Sequence, residues 1–356
     1  MKITFCLPNM SKRPVGGFKI VFEYANFLVE RGHNVNIVFW VNNSFDKVSS
    51  NLRVKDIIGK LLNPFRPKWF NLDSRVKKIT SAYQDGRDIP PADIIFATSV
   101  ETALPVSKLG DEFGKKCYLI QDFEDWHVSK ETVYQSYQLG MTNIVIAKWL
   151  EELVRPYDEN VKLVSNAINT EDFYVEVPIE KRDSFSLALL HHEKPHKGVK
   201  VAFEALEIVK QTYPQIKLNL FGTYDTPSYF DETWMSYIRS ASRAQLRELF
   251  NKSSIFVCAS VNEGFGLTGA ESMASGCALA STNYKGVYEY AEDDVNALLS
   301  PVNDAQALAN NIMTLIEDDS LRIRLAKAGS EKLKEFSWDK KVDAFEEILE
   351  KVIDKE

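Results

Sequence analysis

A chain of 356 residues with 45% hydrophobic and 26% charged side chains has material for two globular cores and is too apolar for disorder, so small disulfide scaffolds and disordered tails are excluded. Its 43 basic and 50 acidic residues leave a formal charge of -7, which argues against a surface built to neutralise nucleic-acid phosphates. The four cysteines, Cys6, Cys117, Cys258 and Cys277, lie far apart and form no CxxC; they imply neither zinc nor a disulfide framework and read as reduced, buried residues of a cytoplasmic protein.

The amino-terminal apolar run is broken by Pro8 and Asn9, too soon for a signal peptide, and nothing approaches the roughly 18 apolar residues of a membrane span. From there, apolar runs of strand length alternate with segments of helical period, the pattern of a parallel sheet wound with helices. Strands are expected over 3–7, 35–39, 93–97, 116–120, 143–147 and 161–164. The helix over 17–31 carries Phe18, Val21, Phe22, Ala25, Leu28 and Val29 at helical spacing. The pattern then repeats, with strands over 185–190, 216–221, 255–259 and 278–281 and helices over 199–212, 244–251 and 267–275. Segments 304–317, 320–336 and 337–352 have helical period only, the last opening on Ser337 as N-cap. The fold class is α/β, with two doubly wound domains joined near 166–178, where Asn, Thr, Asp and Pro cluster.

Four segments carry candidate chemistry. Gly16 and Gly17 close the loop after the first strand and open a helix, where glycine amides and the helix dipole suit an anionic phosphate; a plain loop glycine pair is the competing reading. A dinucleotide fingerprint would need G-x-G-x-x-G directly after the strand, and that triplet is absent. The stretch 262–276, NEGFGLTGAESMASG, follows a strand with a glycine-rich loop and a helix. Its carboxylates Glu263 and Glu271 can each accept two hydroxyl hydrogen bonds, as a ribose diol or a sugar offers, and the amides of Gly264, Phe265, Gly266 and Leu267 suit a phosphate. In 191–198, HHEKPHKG, Lys197 precedes a glycine and a helix start, a position for an ammonium beside a diphosphate. His191, His192 and His196 invite a metal, but no carboxylate or cysteine cluster completes a shell, so no metal is expected. In 121–125, QDFED, acids at the end of a strand either position an acceptor hydroxyl or cap a helix.

With these residues in place, the chain resembles glycosyltransferase family 4, a retaining, nucleotide-sugar-dependent family of GT-B fold. The segment EGFGLTGAESMASGCALAST, 263–282, is similar to the family's signature of two glutamates with seven residues between them. The pieces at 16–35, 165–173, 196–199 and 296–312 match its other recurrent elements in order. The resemblance implies two Rossmann-like domains facing a central cleft: an acceptor-side domain over 1–168, on which the helix 338–356 packs back, and a nucleotide-sugar domain over 169–337. It further implies that Glu271 binds ribose hydroxyls, Glu263 with residues 264–267 holds the donor sugar and diphosphate, and Lys197 neutralises the leaving diphosphate. Gly222, Thr223 and Tyr224 would lie near the nucleobase, Gly16 and Gly17 would close over the donor, and His191 would be among the donor-binding residues. Asp122 would be catalytic, with Gln121 and Asn166 on the acceptor side. No cofactor, metal or separate nucleophile is implied.

The chain departs from the family pattern at three places. His191, His192 and Glu193 stand where many relatives carry an arginine, Gln121 stands for the histidine of a His-Asp pair, and Ala297 replaces a glycine. Two rivals stay open: an epimerase or hydrolase that shares the two-lobed fold and, on the altered His191 and Gln121 positions, a non-catalytic nucleotide-sugar-binding partner. The implied partners are a nucleoside-diphosphate sugar and a glycan or lipid-linked acceptor, in bacterial surface polysaccharide synthesis.

Charge is uneven along the chain. Residues 1–165 hold 22 basic and 19 acidic side chains, and the remaining residues 21 and 31. Segment 51–78 alone has Arg53, Lys55, Lys60, Arg66, Lys68, Arg75, Lys77 and Lys78 against Asp56 and Asp73, interleaved with Leu61, Leu62, Phe65, Trp69 and Phe70. This composition suits an anionic membrane surface, and hence a peripheral location on the inner face of the cell membrane. The competing reading is an ordinary insertion whose apolar residues pack inward.

Overall fold

The structure, a computed structural model, describes residues 1–354. The described chain divides into two compact units, residues 1–166 with those from 341 on, and residues 167–340.

In the first unit β1 (Lys2–Leu7), α1 (Gly16–Glu30), β2 (Asn34–Trp40), α2 (Leu52–Leu62), β3 (Lys77–Ser81), β4 (Ile94–Ala97), α3 (Val100–Ser107), β5 (Lys115–Ile120), α4 (Lys130–Ser136), β6 (Thr142–Val145), α5 (Lys148–Val154) and β7 (Lys162–Leu163) follow in order. The seven strands form a parallel sheet in the order β3-β2-β1-β4-β5-β6-β7. Helices cover both faces of such a sheet, so its strands read as continuous apolar runs: Ile3, Phe5 and Cys6 of β1 and all of β4 are fully buried.

The second unit runs β8 (Ser186–His191), α6 (Val199–Thr212), β9 (Lys217–Gly222), β10 (Met235–Arg239), α7 (Arg243–Lys252), β11 (Ile255–Cys258), α8 (Leu267–Ala274), β12 (Ala278–Thr282), β13 (Ala297–Ser300), α9 (Ala305–Glu317) and α10 (Asp319–Leu333). Its parallel sheet has the order β10-β9-β8-β11-β12-β13. Ala202, Ala205, Leu206 and Val209 of α6 and Leu308, Ala309, Ile312 and Leu315 of α9 close one core with Leu187, Leu189, Leu218 and Leu220. The last helix, α11 (Trp338–Ile353), belongs to the first unit from Lys341 on. There the ring of Phe345 stacks 4.3 Å from Tyr24 and 5.5 Å from Phe96, and Glu346 accepts from His33 at 2.6 Å.

Strand order reverses between β1 and β4 in one sheet and between β8 and β11 in the other. Ligands of open α/β sheets bind at the carboxyl ends of strands beside such a reversal. Three edge strands were not anticipated: KKITS (β3) and MSYIR (β10), which mix polar with apolar residues and pair on one side only, and the four-residue ALLS (β13). The strand expected over 161–164 pairs only at Lys162 and Leu163. All four cysteines are free and buried, and among the described residues no helix is long and apolar enough to cross a membrane.

Candidate functional site

In the second unit, two loops flanking the strand-order reversal are locked together. The turn Pro195–Lys197 after β8 ends on Gly198, whose φ of +61° is left-handed; a Cβ there would lie 1.7 Å from the Ala259 carbonyl oxygen. Only glycine permits that approach. Val261 N–H donates to the His196 carbonyl at 2.8 Å and completes the clasp. Lys197 Nζ then sits 2.8 Å from Glu263 Oε2, with side chains 20% and 11% exposed. The Ser260 hydroxyl donates to the other Glu263 oxygen. Burial would raise the Glu263 carboxyl, but the Lys197 ammonium and the Ser260 hydroxyl outweigh it and hold it below the ordinary glutamate value. The site thus contains a charged carboxylate and a charged ammonium.

Beyond Glu263 the loop is shaped by two buried tyrosines. Gly266 has φ +91° and immediately precedes α8; Tyr290 Oη donates to its carbonyl at 2.9 Å and lies 2.7 Å from Tyr284 Oη. A Cβ on Gly266 would fall 2.0 Å from Tyr284 Oη, and one on Gly286 2.5 Å from the Glu263 carbonyl oxygen. The amide-rich turn 264–267 is therefore held from behind. Asn296 holds Tyr290 in place by donating to its carbonyl at 2.9 Å. Ala297, where relatives carry glycine, sits fully buried in β13 paired with Leu279. Glu271, in the second turn of α8, is 4% exposed; an Ala or Gln there alters a buried carboxylate rather than a solvated one.

The carboxyl ends of β8, β9 and β10 form an aromatic cluster. His191 Nδ1 lies 2.7 Å from Tyr229 Oη, and its ring meets Tyr224, Tyr229 and Tyr237 edge-on at 6.2, 5.8 and 5.8 Å. Tyr237 Oη donates to the Tyr224 carbonyl at 2.7 Å, fixing the loop that contains Gly222, Thr223 and Tyr224. His191, expected among the donor-binding residues, is thus engaged by a tyrosine. Burial lowers the pKa of all three neighbouring imidazoles: His191 despite Glu193, His196 with help from Lys197 and Lys194, and His192 to about 4 with help from Lys197, Lys194 and His196. At neutral pH they are uncharged hydrogen-bonding groups and do not replace an arginine's charge. Among the described residues, no group of three or more His, Cys, Asp or Glu could hold a metal ion.

In the first unit the structure brings together two motifs that the sequence presents separately. A Cβ on Gly17, in the first turn of α1, would lie 3.2 Å from Gln121 Nε2 and 3.3 Å from Oε1. Gln121 Oε1 is buried without a partner, as is Oδ1 of Asn166. Asp122 Oδ1 accepts from Phe123 N–H at 2.8 Å. Glu124, not singled out from the sequence, accepts from the Val100 N–H at the start of α3 at 2.6 Å. Burial pushes its carboxyl up to about 8; the Val100 amide opposes this, and Asp122 and Glu101 add to it. The folded chain therefore holds a proton that the unfolded chain releases from the ordinary glutamate range upward. This contribution to stability is complete below that range and is lost as pH rises to about 8. Glu124→Gln should flatten that decline in melting temperature between pH 5 and 8.5, measured by thermal unfolding; an unchanged slope would contradict a proton held at Glu124.

Residues 176–332 match the family model described as glycosyl transferases group 1. An uncharacterised glycosyltransferase of Methanocaldococcus jannaschii is 27% identical over 219 residues, 59% of this chain and 60% of the relative. The N,N'-diacetylbacillosaminyl-diphospho-undecaprenol alpha-1,3-N-acetylgalactosaminyltransferase of Campylobacter jejuni is 26% identical over 208 residues, 54% of each chain. The chain thus spans a little over half the length of these curated relatives. Among solved structures, sucrose-phosphate synthase from Thermosynechococcus elongatus superposes with a TM-score of 0.74 at 14% identity, covering 99% of this chain and 98% of that one. Anabaena HepE in complex with UDP and glucose gives 0.74 at 16% identity, covering 99% and 100%.

Proposed function

We propose that this chain, whose residues 176–332 match the glycosyl transferases group 1 model and whose fold is GT-B, is a retaining hexosyltransferase of family 4 type. It moves a sugar from a nucleoside-diphosphate donor to a hydroxyl of a glycan or lipid-linked acceptor. The observation that carries this reading is the Lys197–Glu263 pair, clasped against the amide turn 264–267 beside the reversal of strand order. An ammonium and a turn of backbone N–H groups meet the charge that develops on a departing diphosphate, so the step requires no metal. Glu263 holds Lys197 in place and offers an acceptor to the donor sugar. Glu271 takes the ribose hydroxyls, and the loop 222–224 with His191 borders the base. Gly16 and Gly17 contribute amides to the donor, while Gln121, Asp122 and Asn166 orient the acceptor. Retention follows if attack comes from the face the diphosphate leaves.

Relatives whose names include lipid-carried acceptors, among them the Campylobacter enzyme and the phosphatidyl-myo-inositol mannosyltransferases of Mycobacterium, support a lipid-linked acceptor in surface polysaccharide synthesis. They also support a place at an anionic membrane surface. UDP-sugars are the first donors to try, given the UDP complexes among the structural neighbours. The test incubates UDP-hexoses with either a short-chain lipid-diphosphate-linked sugar or free oligosaccharides and reads the new linkage by NMR. Donor consumption only with acceptor, and a product with the donor's anomeric configuration, is expected. Consumption without acceptor indicates the epimerase or hydrolase, and an inverted linkage refutes retention. Glu271→Ala should raise the donor dissociation constant by about ten-fold or more, a loss of roughly 1.4 kcal/mol. Unchanged affinity would overturn the ribose assignment.

A further inference from the structure

Helix α2 is inside out. A surface helix ordinarily buries its apolar face and exposes its polar one; here the buried residues are Lys55, Asp56 and Gly59. On the opposite side, Val54 (39%), Ile57 (59%) and Leu61 (69%) stand exposed at helical spacing, continued by Phe65 (64%) in the next turn. The arrangement is fixed from within. Lys55 Nζ donates to the Asn42 carbonyl and pairs with Asp46. Asp56 accepts from Ala82 N–H at 3.1 Å, and a Cβ on Gly59 would meet Thr80 Cγ2 at 2.5 Å. Downstream, Lys78 Nζ donates to the carbonyls of Asn63 at 3.0 Å and Arg66 at 2.8 Å, tying the following turn to β3.

Segment 51–78 therefore divides in two. Trp69 and Phe70 turn inward, their rings 5.4 and 5.3 Å from Phe22, with Trp69 Nε1 donating to the Ser11 carbonyl at 3.2 Å. These two aromatics are anchors and do not belong to the outer surface. Among the cations, Lys55, Lys60 and Arg75 are paired with carboxylates and Lys78 with carbonyls. Arg53, Arg66, Lys68 and Lys77 have no carboxylate partner among the described residues; Arg53, Lys68 and Lys77 are exposed and Arg66 is partly so. An apolar ridge bordered by positive charge without carboxylate partners is complementary in both polarity and sign to lipid with anionic headgroups.

We propose that α2 and the turn after it dock the chain on an anionic lipid surface, with Val54, Ile57, Leu61 and Phe65 entering the headgroup boundary and Arg53, Arg66, Lys68 and Lys77 engaging lipid phosphates. The proposal stands on the first unit alone and does not depend on sugar transfer. Full-length protein is sedimented with vesicles of phosphatidylcholine alone and with added phosphatidylglycerol, at low and high salt. Binding should require phosphatidylglycerol, fall with salt, and drop by roughly ten-fold or more in I57E/L61E and in R53E/K68E. L104E, at an exposed leucine in α3, should bind as the unaltered chain does, and each variant's melting temperature confirms folding. Equal binding to neutral vesicles, no binding to either, or undiminished binding by the folded I57E/L61E variant would overturn the proposal. So would a dimer in sedimentation velocity that I57E/L61E dissolves, because a second copy would then be the occupant. Donor binding measured without vesicles reports on the sugar-transfer reading separately.

Discussion

Lys197→Ala should lower kcat/KM for the nucleotide-sugar by at least about ten-fold and the melting temperature with it. Two effects add. The variant lacks the ammonium proposed to meet the diphosphate, and it leaves Glu263, 11% exposed, without the Lys197 counter-ion. Removing one partner of a buried ion pair costs about 3–5 kcal/mol; the 20% exposure of Lys197 and the remaining Ser260 hydroxyl place this case at the low end. The double variant Lys197→Met/Glu263→Gln separates the two effects. With no charge left unpaired it should recover most of the lost thermal stability, yet donor affinity should remain low. If affinity returns together with stability, Lys197 is only a structural partner of Glu263 and its role toward diphosphate is refuted.

Gly198→Ala should be nearly as damaging, though no side chain is removed. The left-handed backbone alone disfavours alanine by roughly 1–2 kcal/mol. The added methyl would also press on the Ala259 carbonyl carbon and oxygen, at 2.6 and 1.7 Å, so the β8–α6 turn must part from the loop after β11. Parting those loops separates Lys197 from Glu263, and donor affinity should fall with stability. Gly140→Ala is the control, since its φ is also positive, +74°, but nothing lies within 4 Å of its Cβ. Thermal unfolding of both variants should show the larger loss at Gly198, with donor affinity preserved in Gly140→Ala. Equal losses would mean that backbone strain, and not the clasp, sets the requirement for glycine.

How much of this was legible in the sequence follows from where each signal resides. Central strands such as β1, β4, β8 and β11 are buried on both faces and stand out as apolar runs. The edge strands β3 and β10 carry half a signal each, and with β10 went Tyr237, one of the three tyrosines around His191. Lys197 and Glu263 were each readable as polar residues beside glycines after a strand. That they form one pair depends on the Gly198–Ala259 approach, which joins segments about sixty residues apart. Tyr284 and Tyr290, which shape the turn 264–267, look like core aromatics because their hydroxyls meet each other and, through Tyr290, the Gly266 carbonyl, contacts that only the fold brings about. In segment 51–78 the mixture of cations and apolar residues was plain from composition. Which face each would take was not, because the buried polar residues of α2 contradict the usual pattern.

The central claim, a nucleoside diphosphate held by Lys197, the 264–267 turn and Glu271, is tested most directly by thermal shift with UDP, GDP, ADP and dTDP and their sugars. One base class should raise the melting temperature in a concentration-dependent way, by about 2.7 kcal/mol of stability at a hundred times its dissociation constant. Lys197→Ala and Glu271→Ala should lose most of that shift. No shift with any member of the panel, or an equal shift in both variants, would contradict the account.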